Sequence, residues 1–264
     1  IQTLRSFGFG KPSKLGLPGE TQGFIRAPDK IKPIELATTA FGQGVTSSGV
    51  QLISAMSALA NHGKLMKPML VSEIRDATGS LVRAYKPKEV RQAVDAEVAD
   101  QVVKMMIGVT EEGGTGTNGR IPGYLVAGKT GTAQKVVDGR YSPTARVASF
   151  IGVVPADNPE IAIVVLADTP TKGLSYGGIV SAPAFAQIGA DAMRILGIAA
   201  NPDLEEQEDQ TQTAHQTQTA QAELPPVKAP PELVWTKTGQ LSLPNLSGLS
   251  LRDALVSLQG AGLT

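Results

Sequence analysis

Apolar residues at Val50, Ile53, Met56, Leu59 and Ala60 recur at helical spacing, which predicts an amphipathic helix with Ser47 or Ser48 as its N-cap and Gly63 as its end. A second stripe, Val98, Val102, Met105, Met106 and Val109, predicts a helix that starts at Asp95 and stops at Glu111-Glu112-Gly113-Gly114. Between them, Met69–Arg75 and Leu81–Tyr85 flank Asp76-Ala77-Thr78-Gly79 and read as a hairpin. Tyr124–Lys135, Val147–Val154 and Glu160–Asp168 are strand candidates, and Pro155-Ala156-Asp157-Asn158-Pro159 supplies a tight turn between the last two. A final helix is expected from about Val180 to Leu196, and the Gly- and Pro-rich residues 1–46 predict an extended, loop-heavy beginning. Strands joined by short turns, with helices before and after, argue for an α+β fold with an antiparallel sheet.

The pattern breaks at Asn201. From there to about Glu232, Gln, Thr, Ala, Glu and Pro fill the sequence and leave almost nothing to bury. Such a stretch cannot offset its ordering entropy, so residues 200–232 are expected to be a disordered linker spanning roughly 30 Å. It would separate a large unit, 1–199, from a small one, 233–264.

Composition then narrows the chemistry. The 264 residues carry 24 basic and 24 acidic side chains, and this balance gives no electrostatic case for nucleic acid or an anionic membrane surface. There is no cysteine, hence no disulfide, Fe–S cluster or thiol nucleophile. With His62 and His215 as the two histidines, neither a metal site, nor a His-based triad, nor a cofactor is expected. The longest apolar run, Ile161 to Ala167, is too short for a spanning helix. The chain opens at Ile1 with no signal peptide, and both ends are expected to be cut.

Residues 123–130, Gly-Tyr-Leu-Val-Ala-Gly-Lys-Thr, satisfy the phosphate-loop pattern G-x-x-x-x-G-K-[ST]. That loop needs a nest of backbone N–H groups running straight into a helix. Here the intervening residues are apolar and strand-forming, and Gly131 to Gly139 head into a turn, so no nucleotide is expected. The same residues read differently as Lys129-Thr130-Gly131-Thr132 on an edge-facing strand. Glycine would leave the strand face open to a substrate backbone, while the lysine and threonines would suit a terminal carboxylate. A buried strand end with a snorkelling lysine is the other reading of that tetrapeptide.

The wider stretch Gly113-Gly114-Thr115-Gly116 … Gly123-Tyr124-Leu125-Val126-Ala127-Gly128-Lys129-Thr130-Gly131-Thr132-Ala133-Gln134 closely resembles class B penicillin-binding proteins of the cell-division type, the peptidoglycan D,D-transpeptidases. Gly42-Gln43-Gly44, Phe150-Ile151-Gly152 with Pro155-Ala156, and Tyr176-Gly177-Gly178 fall in line with that family. The resemblance implies an antiparallel sheet packed between helices and a serine that attacks D-Ala-D-Ala stem peptides or β-lactams to form an acyl-enzyme. It also implies a location at the extracytoplasmic face of the membrane, with an anchoring helix outside this chain and divisome proteins as partners. Of the three motifs S-x-x-K, S-D-N and K-T-G, only the third is here. No lysine has a serine three positions upstream, and no asparagine has one two positions before it. The resemblance therefore implies the C-terminal part of a transpeptidase, inactive alone. In it Lys129 and Thr132 would be catalytic, Thr130, Gly131 and Thr132 would bind substrate, and the Thr132 N–H would be half of an oxyanion hole. A non-catalytic muropeptide-binding or regulatory module is the alternative.

Lys237-Thr238-Gly239 repeats the tripeptide, but prolines precede it and no apolar strand is expected to lead in, so it reads as linker end. The tail from Leu243 to Leu263 resembles the start of a PASTA repeat, with Leu251, Leu255 and Leu258 striping a helix capped by Ser250. His62 reads as a helix C-terminal residue and His215 as solvated. Asp168 with the loop Thr169–Gly178 would either line a cleft or form an ordinary strand exit, the latter favoured. Arg140 and Arg146 read as solvated loop charges. Because a nucleophile-bearing helix would lie upstream, one sheet face is expected to expose a large apolar patch and make the isolated chain prone to aggregate.

Overall fold

The computed structural model describes residues 1–171, 173–204, 234–235 and 241–242. The chain divides into two compact units, Ile1–Asp209 and Gln210–Thr264. In the first, the elements run α1 (Gln2–Ser6), α2 (Pro33–Thr39), α3 (Gly49–Ala60), β1 (Lys64–Met66), β2 (Glu73–Arg75), β3 (Leu81–Ala84), β4 (Glu89–Gln92), α4 (Ala96–Ile107), β5 (Ala127–Val137), β6 (Arg140–Val154), β7 (Ile161–Asp168), α5 (Gly177–Val180) and α6 (Ala182–Leu196). The main sheet is antiparallel in the order β5-β6-β7, while β1 pairs with β4 and β2 with β3 in separate ribbons.

Helix α3 begins where the apolar spacing predicts. Ser48 Oγ accepts from the Gln51 N–H at 3.1 Å, and Gln51 Oε1 accepts from the Ser48 N–H at 2.9 Å, a reciprocal cap that satisfies two orphan donors. Gln51 is buried, and its amide nitrogen donates to the carbonyls of Lys11 (2.8 Å) and Gln22 (2.9 Å). This one side chain ties the start of the chain to α3. The helix ends at Asn61, and His62 (φ 52°) and Gly63 (φ 79°) then turn left-handed. His62 Nδ1 lies 2.8 Å from Asp100 Oδ1 on α4.

Pleating sends alternate sheet residues to two separate cores. Phe150, Val154 and Ile163 pack with Phe185 and Met193 of α6, together with Ile121 and Val126. The neighbouring positions, Ala127 and Val153, pack with Met56 of α3 and Val103 of α4. Phe150 is fully buried, and its ring centroid is 4.7 Å from that of Phe185. The expected bare sheet face is therefore absent among the described residues, because helices downstream of Ile1 cover both faces. Exposed large apolar groups remain at Val136, Val137, Tyr141 and Leu166 on the strands, and away from them at Leu36 and Phe41, at Leu70 and Val82, and at Ile188 and Ile195 of α6.

Several boundaries differ from the sequence reading. Asp138 (φ 51°) and Gly139 (φ 77°) make the tight turn of one long hairpin, since both central residues adopt the positive φ that such turns need. Strand β6 consequently starts at Arg140, and Arg140 and Arg146 sit within a strand opposite Val137 and Gln134 rather than in a loop. Strand β5 starts at Ala127, three residues later than expected, because Ile121 and Tyr124 close a turn of their own. The last helix breaks at Ser181, whose buried hydroxyl donates to the Ala148 carbonyl at 3.1 Å. The beginning is not all loop: Pro33 opens α2, and the Glu35 carboxylate accepts from the Lys32 N–H at 2.9 Å.

In the second unit, Val234–Trp235 pairs antiparallel with Leu241–Ser242. An apolar strand does precede Lys237-Thr238-Gly239, against expectation, because Val and Trp favour extended pairing. That tripeptide, residues 205–232 of the linker, His215 and the tail helix lie outside the described residues.

Truncating Phe150 to alanine removes the ring shared by β6, α6 and the loop before β5. Urea denaturation of the Phe150→Ala chain is expected to show a loss of about 3–5 kcal/mol, the usual cost of such a core deletion.

Candidate active site

Lys129-Thr130-Gly131-Thr132 lies in the first half of β5, which has β6 as its one neighbour among the described residues. Half the backbone N–H and C=O groups of such a strand point away from the sheet. The strand runs on to Val137 with no helix after Gly128-Lys129-Thr130, which removes the phosphate-loop reading. The site is not sealed: Lys129 is exposed, and the next three residues are partly so.

Thr130 and Thr132 share one face of the strand, and Lys129 and Gly131 share the other. Lys129 Nζ donates to the Thr130 carbonyl at 2.8 Å. Thr130 Oγ1 is 2.9 Å from Thr115 Oγ1, and Thr132 Oγ1 accepts from the Gly177 N–H at 3.2 Å. Asn118 Nδ2 donates to the Gly178 carbonyl at 2.9 Å and joins the loop before β5 to the start of α5. Glycine is required at both α5 positions. A Cβ on Gly177 would overlap the carbonyls of Gly131 and Ser149, and one on Gly178 would overlap that of Thr115. Gly131 has a further reason to be glycine, since a Cβ there would overlap the Ser149 hydroxyl.

The four expected residues thus stand together, but they are not alone. Thr115, Asn118 and Gly177 complete their surroundings; the sequence assigned neither Thr115 nor Asn118 to the site, and Gly177 only through the disfavoured reading of the loop Thr169–Gly178 as a cleft lining. The signal was present in Gly113-Gly114-Thr115-Gly116 and Tyr176-Gly177-Gly178, which were legible as family motifs but not as neighbours of the strand.

Residues 1–190 match the penicillin binding protein transpeptidase domain. The chain belongs to this family. It is 34% identical over 251 residues to Stage V sporulation protein D of Bacillus subtilis, which covers 95% of this chain and 35% of that protein. It is 40% identical over 192 residues to the probable peptidoglycan D,D-transpeptidase PenA of Neisseria gonorrhoeae, covering 73% of this chain and 31% of that one. Among solved structures, the transpeptidase domain of Burkholderia pseudomallei penicillin-binding protein 3 aligns with a TM-score of 0.67 and 35% identity, over 75% of this chain and 57% of that chain. Penicillin-binding protein 3 of Mycobacterium tuberculosis, solved with ampicillin, aligns with a TM-score of 0.69 and 30% identity, over 76% of this chain and 46% of that one. The chain spans about a third of the length of the curated relatives it matches. The fold is that of the penicillin-binding transpeptidases, an antiparallel sheet between helices.

At the other end of the penicillin-binding domain's sheet, the register of β5 on β6 shifts between Gln134 and Val136, where Lys135 of β5 stands opposite the longer stretch Ser142 to Ala145 of β6. Its ammonium reaches Asp168 Oδ1 at 2.7 Å and Thr169 Oγ1 at 3.3 Å, bridging the end of β5 to the end of β7. Asp168 is thus a strand exit held by an ion pair. The far end of the following loop, at Tyr176-Gly177-Gly178, is what reaches the Lys129–Thr132 segment. No helix among the described residues is long and apolar enough to cross a membrane.

The hydrogen bond from Lys135, helped by the one from Thr169, holds the Asp168 carboxyl below the ordinary carboxylate range. A depressed folded-state value contributes stability above the unfolded value, about pH 4, and loses it as pH falls through the folded one. Asp168→Asn is therefore expected to melt slightly below wild type at pH 7, and that deficit is expected to shrink as the pH falls below about 4. Thermal melts of both proteins across that range check the sign.

Proposed function

We propose that this chain is the C-terminal part of a serine-type peptidoglycan D,D-transpeptidase. An upstream segment would supply the nucleophile, and β5 would supply the binding edge. The supporting observation is the edge strand itself: Lys129, Thr130 and Thr132 stand on an open β-strand of a chain that belongs to the penicillin-binding transpeptidase family. The substrate is a stem peptide ending in D-Ala-D-Ala, which lies along the outer side of β5. Its terminal carboxylate takes hydrogen bonds from the Thr130 and Thr132 hydroxyls, and charge-assisted bonds of this kind are the strong ones. The Lys129 ammonium adds positive charge and orients the missing serine motif.

Acylation places negative charge on the attacked carbonyl oxygen. An N–H already aimed at that point contributes about 2.7–4 kcal/mol to the transition state, and Thr132 offers one, with the nucleophile's own N–H as the other half. β-Lactams enter as acylating analogues of the same peptide. No cofactor or metal has a step in this chemistry. The intact enzyme acts at the extracytoplasmic face of the membrane in cell-wall cross-linking, with division proteins as partners. Residues 1–199 form the transpeptidase portion and 200–232 a linker, with a partial PASTA module at 233–264.

In the full-length protein, Thr132→Val is expected to slow acylation by a fluorescent penicillin about 10- to 150-fold, the worth of a hydrogen bond to a charged group. The 264-residue chain alone is expected to remain unlabelled under the same conditions. A stoichiometric acyl adduct on the isolated chain, read by mass spectrometry, would mean that another serine serves and would overturn this reading.

A further inference from the structure

The loop between α4 and β5 is built to hold one hydroxyl in place. Gly114 and Gly116 flank Thr115, and neither tolerates a side chain. A Cβ on Gly114 would overlap the carbonyls of Gly108 and Val109, at the end of α4. One on Gly116 would come within 2.6 Å of the Phe150 ring and 3.3 Å of Thr130 Cγ2. Backbone bonds fix the loop further, from Gly114 N–H to the Glu111 carbonyl and from Gly116 N–H to the Val109 carbonyl, both 2.9 Å. Asn118 clamps it to Gly178 at 2.9 Å, and the Thr115 carbonyl lies against Gly178 itself. From this frame the Thr115 hydroxyl meets Thr130 Oγ1 at 2.9 Å.

Two hydroxyls at that distance share a single proton between them, and which one donates decides what the other can do. A hydroxyl carries one donor and two acceptor sites. If Thr130 gave its proton to Thr115, it would offer a carboxylate only lone pairs. If Thr115 gives its proton to Thr130, the Thr130 proton turns outward, and accepting one bond strengthens the bond it donates.

We propose that Thr115 is a positioning residue for carboxylate recognition: its hydroxyl donates to Thr130 Oγ1 and directs the Thr130 proton toward the anionic end of the ligand. The proposal rests on the reading of β5 as the edge that takes a peptide C-terminus. Thr115 does not touch the ligand and acts through Thr130. Its influence is confined to ligands that carry the anion, and a merely structural role would not distinguish them.

The test uses N-acetyl-D-Ala-D-Ala and its C-terminal amide, titrated by NMR into the full-length protein. The wild type is expected to favour the acid over the amide. Thr115→Val, which keeps the shape and loses the hydroxyl, is expected to weaken binding of the acid about tenfold and of the amide less than twofold, as fits a misdirected bond to a charged group. Thr115→Ser, which restores the hydroxyl, is expected to stay within about twofold of wild type on both. Equal losses on acid and amide, an unchanged preference in the valine variant, or a wild type without preference would each overturn the proposal. Acylation by a fluorescent penicillin in the same samples reports separately on the transpeptidase reading. A protein that binds the acid through Thr115 but is never acylated would refute that reading alone.

Discussion

The aromatic ring of Phe150 occupies a hole that three glycines leave for it, and the geometry around β5 follows from that fit. Gly128 on the neighbouring strand and Gly116 and Gly119 in the preceding loop all face the ring. A Cβ at any of them would come within about 2.5–2.8 Å of its atoms. On its remaining side the ring meets Phe185 of α6. One buried side chain thereby sets the spacing between a strand, a loop and a helix that lie far apart in sequence. Position 130 is paired with 150 in the ladder, so the ring also fixes the height at which Thr130 meets the loop.

How much of this was legible in the sequence depended on the range of the interactions. Local periodicity located α3 and α4 because Val50–Ala60 and Val98–Val109 repeat an apolar stripe over three turns. It located the three strands because each has β-formers bounded by turn residues. It missed β1 and β4, whose three and four residues carry no period of their own and exist only through pairing with one another. It ended β5 two residues early, because Val136 and Val137 are exposed and held by the turn geometry of Asp138-Gly139 rather than by burial.

The site divided in the same way. Lys129-Thr130-Gly131-Thr132 is contiguous, so its chemistry could be read from four letters. The contacts that hold it are not contiguous: Thr115 and Gly177 lie 15 and 45 positions from their partners. Gly177 and Gly178 were legible as part of a family motif, and the structure adds the reason, since both are needed for the close approach of α5 to β5. The expectation of a bare sheet face went wrong for a related reason. It looked for the cover outside these residues, whereas the apolar stripes of α3 and α4 are themselves the cover of one face.

The open side of β5 also exposes the protein to its own copies. A strand with one neighbour among the described residues is a template for any extended segment, a second molecule included. One feature of this edge works against such a partner. Lys129 is exposed on it, and a charged side chain on an edge strand disfavours pairing with another copy. The charge that marks this strand out in the sequence is thereby also what blunts its edge against self-association.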